Sequence, residues 1–178
     1  MGKSVPAYLK SVHQIEFVKI FCSLCGRYGR WEIWQDFITL AAIEISNAVD
    51  RSHAAGRGES YKTIAEKYKP DELHRFALMF QEVIAGMEQN ADQDFFGELY
   101  MALELGNKHI GQCFTPYNAC RLMAELTTLD IRARIAQDGW VSVNDSACGS
   151  GAILTAFASA CLRQGVNYQT SVFSWHRM

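Results

Sequence analysis

The stretch NDSACGSGAIL, residues 144–154, decides how the C-terminal part of this chain folds. A short β-rich run at 141–143 precedes it, and an apolar run at 152–157 follows it. Between the two runs lie small residues, among them Gly149 and Gly151, and glycine permits tight turns and close approach of the backbone to a ligand. The pattern predicts a strand, a turn and a helix, which together begin a parallel α/β sheet.

Several nucleotide-binding folds use such a turn, because the N-terminus of the following helix favours acceptor atoms of a ligand. A P-loop is excluded, since no lysine follows Gly149 at the required position. The dinucleotide fingerprint G-x-G-x-x-G fails at its third glycine, where Leu154 stands. A plain structural turn remains an open alternative at this point.

The rest of the chain is predicted to be helical, because apolar residues recur at spacings of three and four. Pro70-Asp71-Glu72 is typical of a helix start, and Asp94 is a plausible N-cap. The glycines and polar residues of 53–60 predict a loop. The predicted helices cover 10–27, 31–49, 61–67, 70 to about 87, 94–106, 117–136 and 150–163.

Two of these segments carry well-defined apolar stripes. In 31–49 the stripe runs from Trp34 to Val49. In 117–136 a single amphipathic helix is expected, and its apolar positions are Ala119, Leu122, Met123, Leu126 and Leu129.

Composition sets the broad class. The 178 residues are 49% hydrophobic and carry a net charge of −2, which is ordinary for a globular protein and does not require nucleic acid as a partner. No apolar run approaches the roughly 18 residues of a membrane span, and residues 1–6 lack the apolar core of a signal peptide. We therefore expect a cytoplasmic protein that does not contact a membrane.

Cysteine spacing offers little chemistry. Cys22 and Cys25 form a lone C-x-x-C without the second pair that a zinc site usually needs, and their neighbours have helical periodicity. We interpret both as small apolar residues of a helix, so no metal site is predicted.

A second motif changes the interpretation of the glycine turn. The stretch GQCFTP, residues 111–116, lies some thirty residues upstream of DSACGSGAIL, residues 145–154. Together the two motifs closely resemble the loops of N6-adenine DNA methyltransferases of the type I restriction-modification kind. DFFGELYMALE, residues 94–104, also looks like that family's helix before the first loop. The resemblance covers roughly 90–165.

The resemblance implies an S-adenosylmethionine site formed by both loops. Phe114 would supply apolar packing, Thr115 a hydroxyl, and Asp145 a carboxylate that orients the loop or accepts a hydrogen bond near the methionine end. The residues predicted to bind the cofactor are Gln112, Phe114, Thr115, Pro116, Asp145, Ala147, Gly149, Ser150 and Gly151. Two positions depart from the family pattern: Cys113 replaces the usual aromatic residue, and Ser146 replaces the usual proline.

The family's catalytic loop, N-P-P-[FY], does not occur in this sequence, whose prolines are Pro6, Pro70 and Pro116. We therefore predict no catalytic residue, no methyl transfer by this chain alone, weak or lost S-adenosylmethionine binding, and no tight binding of DNA, the family's substrate. A helical interaction module without enzymatic activity, which binds a restriction-modification subunit, is the alternative.

The predicted fold is mainly α: a helical N-terminal region at 1–107, followed at 108–178 by the incomplete start of a Rossmann-like α/β methyltransferase domain. An incomplete sheet exposes strand edges and an apolar face. We therefore expect self-association through residues 139–178.

The tail, 171–178, begins like a second strand and then breaks its apolar pattern at Ser174. In the family, this strand continues and ends at an acid that binds the ribose hydroxyls. One hypothesis is a frameshift in a longer methyltransferase gene; a cloning boundary or a natural end is the other.

Overall fold

A computed structural model describes Leu9 and residues 11–106, 114–146 and 148–174. The described chain is mainly helical, as predicted, with two short strands. It divides into two compact units: Met1–Glu88 with Leu99–Leu105, and Gln89–Glu98 with Gly106–Met178. The sequence-based boundary between residues 107 and 108 stays a prediction. None of the described helices combines the length and apolar character needed to cross a lipid bilayer.

Four long helices account for most of the first unit. They are α1 (Val12–Leu24), α2 (Arg30–Val49), α3 (Ala54–Ala65) and α4 (Pro70–Gln89). A further helix, α5 (Phe95–Ala102), begins in the second unit and ends in the first. Aromatic rings form much of the core of the first unit. For example, Phe17 packs edge-on against Phe37, and their ring centroids are 4.9 Å apart. Both rings are almost completely buried.

The predicted loop at 53–60 is wrong, since α3 begins at Ala54. Local propensity is overridden by contacts to the end of α2. Arg57 donates from Nε to Asn47 Oδ1 at 2.7 Å and from a guanidinium N–H to the Asp50 carbonyl. A Cβ atom added to Gly56 or Gly58 would have no other atom within 4 Å, so packing does not require glycine at these positions.

The second unit contains the strands and the remaining helices. Its elements after α5 are α6 (Tyr117–Thr127), α7 (Ile131–Asp138), β1 (Val141–Val143), α8 (Ala152–Arg163), α9 (Tyr168–Ser171) and β2 (Val172–Ser174). β1 and β2 pair in parallel, with Val141 opposite Val172, and α8 and α9 form the crossover between them. This is a β-α-β unit of three-residue strands. A Rossmann-like domain is not established by it and stays a prediction.

The segment 117–136, predicted as one helix, is two helices. Thr128, which is fully buried, interrupts them. Its hydroxyl donates back to the Ala124 carbonyl at 2.8 Å and accepts from Gln164 Nε2 at 2.9 Å. Hydrogen bonds from a threonine to the carbonyl four residues earlier bend helices. The bend lets Ile131, the first residue of α7, enter a core with Cys161 and Val166.

Small side chains bring α6 and α8 together. Cys120 and Ala124 of α6 are buried against three alanines of α8, Ala152, Ala156 and Ala160. Small residues let two helix backbones approach closely, so that even one additional methylene group is felt in such an interface.

The leucine stripe predicted for 117–136 does not form the buried face of α6. Leu122, Leu126 and Leu129 are 61%, 61% and 77% exposed. The buried face is the one with Cys120 and Ala124. The stripe predicted for α2 is likewise divided: its buried members include Trp34, Phe37 and Ala41, and its exposed members are Ile38, Ala42, Ile45, Ala48 and Val49.

The substitution Ala156→Leu should lower the free energy of unfolding by about 1–3 kcal/mol, because a fully buried position at the α6–α8 contact cannot take the additional carbon atoms of leucine without strain. Ala133→Leu on the exposed side of α7 is the matched control and should change it by less than about 0.5 kcal/mol. Urea unfolding of the two variants measures the difference. Equal effects would show that the contact is loosely packed.

Candidate functional site

The loop between β1 and α8 has the backbone geometry that its glycines suggested. Gly149 has φ +53° and Gly151 has φ +79°, a left-handed conformation that side chains other than glycine rarely adopt. The Gly151 N–H donates to the Cys148 carbonyl at 2.7 Å and closes the turn. A Cβ atom at Gly151 would point into open space, with no other atom within 4 Å. The loop therefore presents its backbone to an open volume.

The N-terminus of α8 lies directly behind this turn. Its N-cap is Gly151, which has no side chain to accept from the first amides of the helix. The first bond of the helix, from the Thr155 N–H to the Gly151 carbonyl, is 2.9 Å long. The N–H groups of residues 152–154 precede that bond and have no acceptor within the helix. They are donors at the positive end of the helix dipole.

α6 and α8 run in the same general direction. Their C-terminal ends meet, where Arg163 binds Glu125 at 2.5 Å and Gln164 donates to Thr128. The N-terminal ends therefore lie at the same end of the helix pair. Residues 114–116 just before α6 and the glycine turn before α8, which belong to the two sequence motifs, consequently share that end.

The thiol of Cys120 lies near residues of both motifs, Thr115 and Asp145. Cys120 lies in the first turn of α6, with its Sγ 3.8 Å from the Thr115 carbonyl. Burial raises the pKa of this thiol, and the negative charges of Asp94 and Asp145 raise that pKa further. Asp145, two residues after β1, therefore lies close enough to the start of α6 for its charge to act on this thiol.

The predicted cofactor residues differ in their exposure. Phe114, Asp145, Ser150 and Gly151 are half-buried, and Thr115, Pro116 and Gly149 are exposed. Gln112 and Ala147 lie outside the described residues, as does Cys113. The structure brings the described members of both motifs to one end of the α6–α8 pair. Their role in binding stays a prediction.

Asp94 is a further residue at this end, and the sequence indicated only part of its role. It is the N-cap of α5, as predicted, because its Oδ1 accepts from the Gly97 N–H at 2.9 Å. Its Oδ2 is also 3.4 Å from the Ser150 hydroxyl of the glycine turn, a long contact. Burial raises the pKa of the Asp94 carboxyl, although the Gly97 and Ser150 donors act in the opposite direction.

Gly97 is the sequence signal that could have pointed to this carboxylate. A Cβ atom at position 97 would lie 2.1 Å from Asp94 Oδ2 and 2.7 Å from Oδ1. Only glycine leaves room for the capping carboxylate in this arrangement. The spacing D-x-x-G at 94–97 therefore indicates that a capping carboxylate occupies the space beside Gly97. Apolar periodicity does not detect this requirement.

Asp92 holds the same segment to α6 and α8. Its carboxylate binds Arg163 at 2.7 Å and Arg121 at 3.3 Å, and it accepts from the Tyr117 hydroxyl at 2.8 Å. Burial and the neighbouring Asp92 carboxylate raise the pKa of Tyr117 well above its ordinary value. This network anchors the segment that carries Asp94 to α6 and to Arg163, the last residue of α8.

A cavity of about 330 Å³ lies beside β1. Its lining comes from α6, α7, β1 and the start of α8, and includes Ile131, Val141 and Phe157. None of the predicted cofactor residues that the structure describes lines it. Within the described ranges, no three histidine, cysteine or acidic side chains are grouped to hold a metal ion.

Comparison with protein-family models, with curated proteins and with solved structures finds no match to this chain. The interpretation of the site consequently rests on its own residues and on the resemblance of its two motifs.

Asp94→Ala should lower the free energy of unfolding by about 1 kcal/mol, since it removes the acceptor for the Gly97 N–H at the start of α5. Asp94→Asn keeps an acceptor and should be much less destabilising. Asp71→Ala, on the exposed first turn of α4, controls for the loss of an acid near a helix N-terminus. Urea unfolding at neutral pH compares the three variants. Equal losses for Asn and Ala at position 94 would contradict a capping role.

The pH dependence of stability should reveal the buried Asp94 carboxyl. Its pKa is raised in the folded state, so the folded chain holds this proton more tightly than the unfolded chain. The associated stabilisation is present below about pH 4, the ordinary carboxyl range, and is lost as the pH rises through the raised pKa. The stability of the wild-type chain relative to Asp94→Asn should therefore fall as the pH rises from about 3 to about 7. Urea unfolding at each pH measures the difference in the free energy of unfolding between the wild-type chain and Asp94→Asn. A difference that stays constant or rises with pH would contradict this prediction.

Proposed function

We propose that this chain carries part of the S-adenosylmethionine site of a DNA adenine N6-methyltransferase. The observation that carries the proposal is the position of the described residues of two family-like motifs, 114–116 and 148–154, at one end of the α6–α8 pair. The motif at 111–116 leads into α6, and the motif at 145–154 forms the turn into α8. Two loops with this order and spacing, both at helix N-termini, are what the resemblance requires of a cofactor site.

The described residues have a chemistry that suits S-adenosylmethionine. Gly149 and Gly151 leave the backbone accessible, and the uncapped amides at the start of α8 suit the carboxylate of the methionine group. Asp145, two residues after β1, suits the ammonium of the same group. Phe114 adds an apolar surface before α6. The bound cofactor would supply the methyl group, and the chain's own residues would bind and orient it.

Only part of the site is proposed, because other family groups are not in the sequence. An acid after the second strand normally binds the ribose hydroxyls in this family, and the residues after β2 are Trp175 to Met178. Losing one charge-assisted hydrogen bond costs about 1.5–3 kcal/mol, or about tenfold or more in affinity. The absence of an N-P-P-[FY] sequence leaves the target adenine without its family partners. We therefore propose that this chain binds the cofactor weakly and does not transfer the methyl group by itself.

Calorimetric titration of the full chain with S-adenosylmethionine tests the proposal, with an expected dissociation constant of about 0.1–1 mM. Gly151→Ala should weaken this binding at least severalfold, because the added methyl group enters the open volume before the loop. Gly139→Ala is a matched control: its φ is +80° and its Cβ position is equally open, so the backbone strain is the same. Both variants should lose about 1 kcal/mol of stability, and only Gly151→Ala should lose affinity.

No binding at millimolar cofactor, or equal affinity in the two glycine variants, would contradict the proposed site. Micromolar affinity would show that the missing acid matters less than expected. Incubation with adenine-containing DNA and radiolabelled S-adenosylmethionine should give no methylated DNA, and any transfer by the purified chain would refute the predicted inactivity.

A further inference from the structure

Helix α6 has two apolar faces, and only one of them is covered. Cys120 and Ala124 are buried against α8. On another side of α6, Leu122 and Leu126 are each 61% exposed, and Leu129, two residues after the helix, is 77% exposed. Leu122 and Leu126 lie four residues apart and therefore share one face of the helix, and apolar side chains grouped at such exposure are typical of an interaction site. We call these three leucines, together with Met123, the leucine face.

The leucine face is continuous with the cavity beside β1. Met123 belongs to both, because it is 39% exposed and also lines the cavity. Further along the cavity wall lie Ile131 and Ile153, and Trp140, just before β1, is 51% exposed. An apolar surface therefore extends from α6 to the strand.

The strand at the end of this surface has an open edge. β1 pairs with β2 on one side, and in the described chain these two strands make up the whole ladder. In a parallel pair, alternate residues direct their N–H and carbonyl groups away from the partner strand. Such an edge is a template for pairing with a further strand.

Charged residues of α7 border this surface and indicate which kind of partner would bind it. Asp130, the N-cap of α7, Arg134 and Asp138 follow at intervals of four residues. Arg134 Nε binds Asp130 Oδ2 at 3.2 Å within the chain, and Asp138 at the other end of the row is exposed. Arg134 and Asp138 also border β1, where they form a recess with Val141 and Ser142. A row with both signs is complementary to a second copy of itself when the two-fold axis places Arg134 opposite Asp138, whereas a patch of one sign would suit a partner of opposite charge.

We propose that the leucine face, the cavity beside β1 and the β1 edge form a two-fold interface with a second copy of this chain. In this arrangement β1 pairs with β1 of the second copy, and the two leucine faces cover apolar surface of each other. Arg134 of each copy binds Asp138 of the other copy. This assembly is independent of cofactor binding, since none of the described predicted cofactor residues lines the cavity.

Sedimentation velocity on the full chain, over a hundredfold range of concentration, measures the assembly directly. We expect a reversible monomer–dimer equilibrium without larger species. Leu126→Lys should raise the dimer dissociation constant about tenfold or more, because it places a charge in the centre of the interface. Val49→Lys, which changes an 81% exposed apolar residue of α2, is the matched control and should leave the dissociation constant unchanged.

Charge reversal distinguishes a specific two-fold contact from general apolar association. Arg134→Asp and Asp138→Arg should each weaken the dimer, because each places like charges opposite one another twice in the assembly. The double variant restores opposite charges in exchanged positions and should recover most of the affinity. Circular dichroism should show that each variant is folded. Arg134→Asp also loses the ion pair with Asp130 of its own copy, but both side chains of that pair are exposed and such pairs contribute little to stability.

A chain that stays monomeric at the highest concentration would overturn the proposal. Formation of larger aggregates that Leu126→Lys and Val49→Lys affect equally would also overturn it, as would a double charge variant that is no better than the two single ones.

Discussion

The close packing of α6 on α8 is the contact on which the C-terminal unit depends. It is made by a thiol and alanines, Cys120 and Ala124 against Ala152, Ala156 and Ala160. Side chains of this size contribute little buried area each, but they let the two backbones approach closely. The packing aligns the helices, and thereby brings the turn with Gly149 and Gly151 to the same end as the residues preceding α6. Every interpretation of that end as a site depends on this alignment.

Two acids of the segment before α5 have different partners in the C-terminal unit. Asp92 meets the guanidinium groups of Arg121 and Arg163, so its charge is balanced by opposite charges. Asp94 meets neutral donors, the Gly97 N–H and the more distant Ser150 hydroxyl. Burial therefore dominates at Asp94 and raises the pKa of its carboxyl. One acid anchors the segment, and the other places a poorly solvated carboxylate beside the glycine turn.

Periodicity identifies an apolar face of a helix, but it does not say which surface covers that face. In α6 the leucines form the more hydrophobic stripe, yet the smaller residues are the ones buried. The reason is shape: α8 presents alanines, and its surface is complementary to Cys120 and Ala124 rather than to branched side chains. The leucine face remains available for other surfaces, which is why it carries an interaction proposal rather than a description of the core.

The sequence by itself determined the local features whose cause lies within a few residues. Pro70 with the acids after it begins α4, Asp94 caps α5, and the glycines between β1 and α8 adopt positive φ, because each of these depends on neighbouring backbone groups. The order and type of the C-terminal elements, strand and then helix, follow from the same local chemistry. The motif resemblance supplied the candidate site residues, whose function remains a proposal.

Tertiary structure alone decided the features that depend on distant partners. The predicted loop at 53–60 is helical because Arg57 binds the end of α2, and the helix predicted at 117–136 is interrupted because Thr128 bonds to Gln164. The same holds for the buried face of α6 and for the approach of Ser150 to Asp94, fifty-six residues apart in sequence. Contacts between residues so far apart depend on the packing of whole helices, and no local pattern of residues encodes that packing.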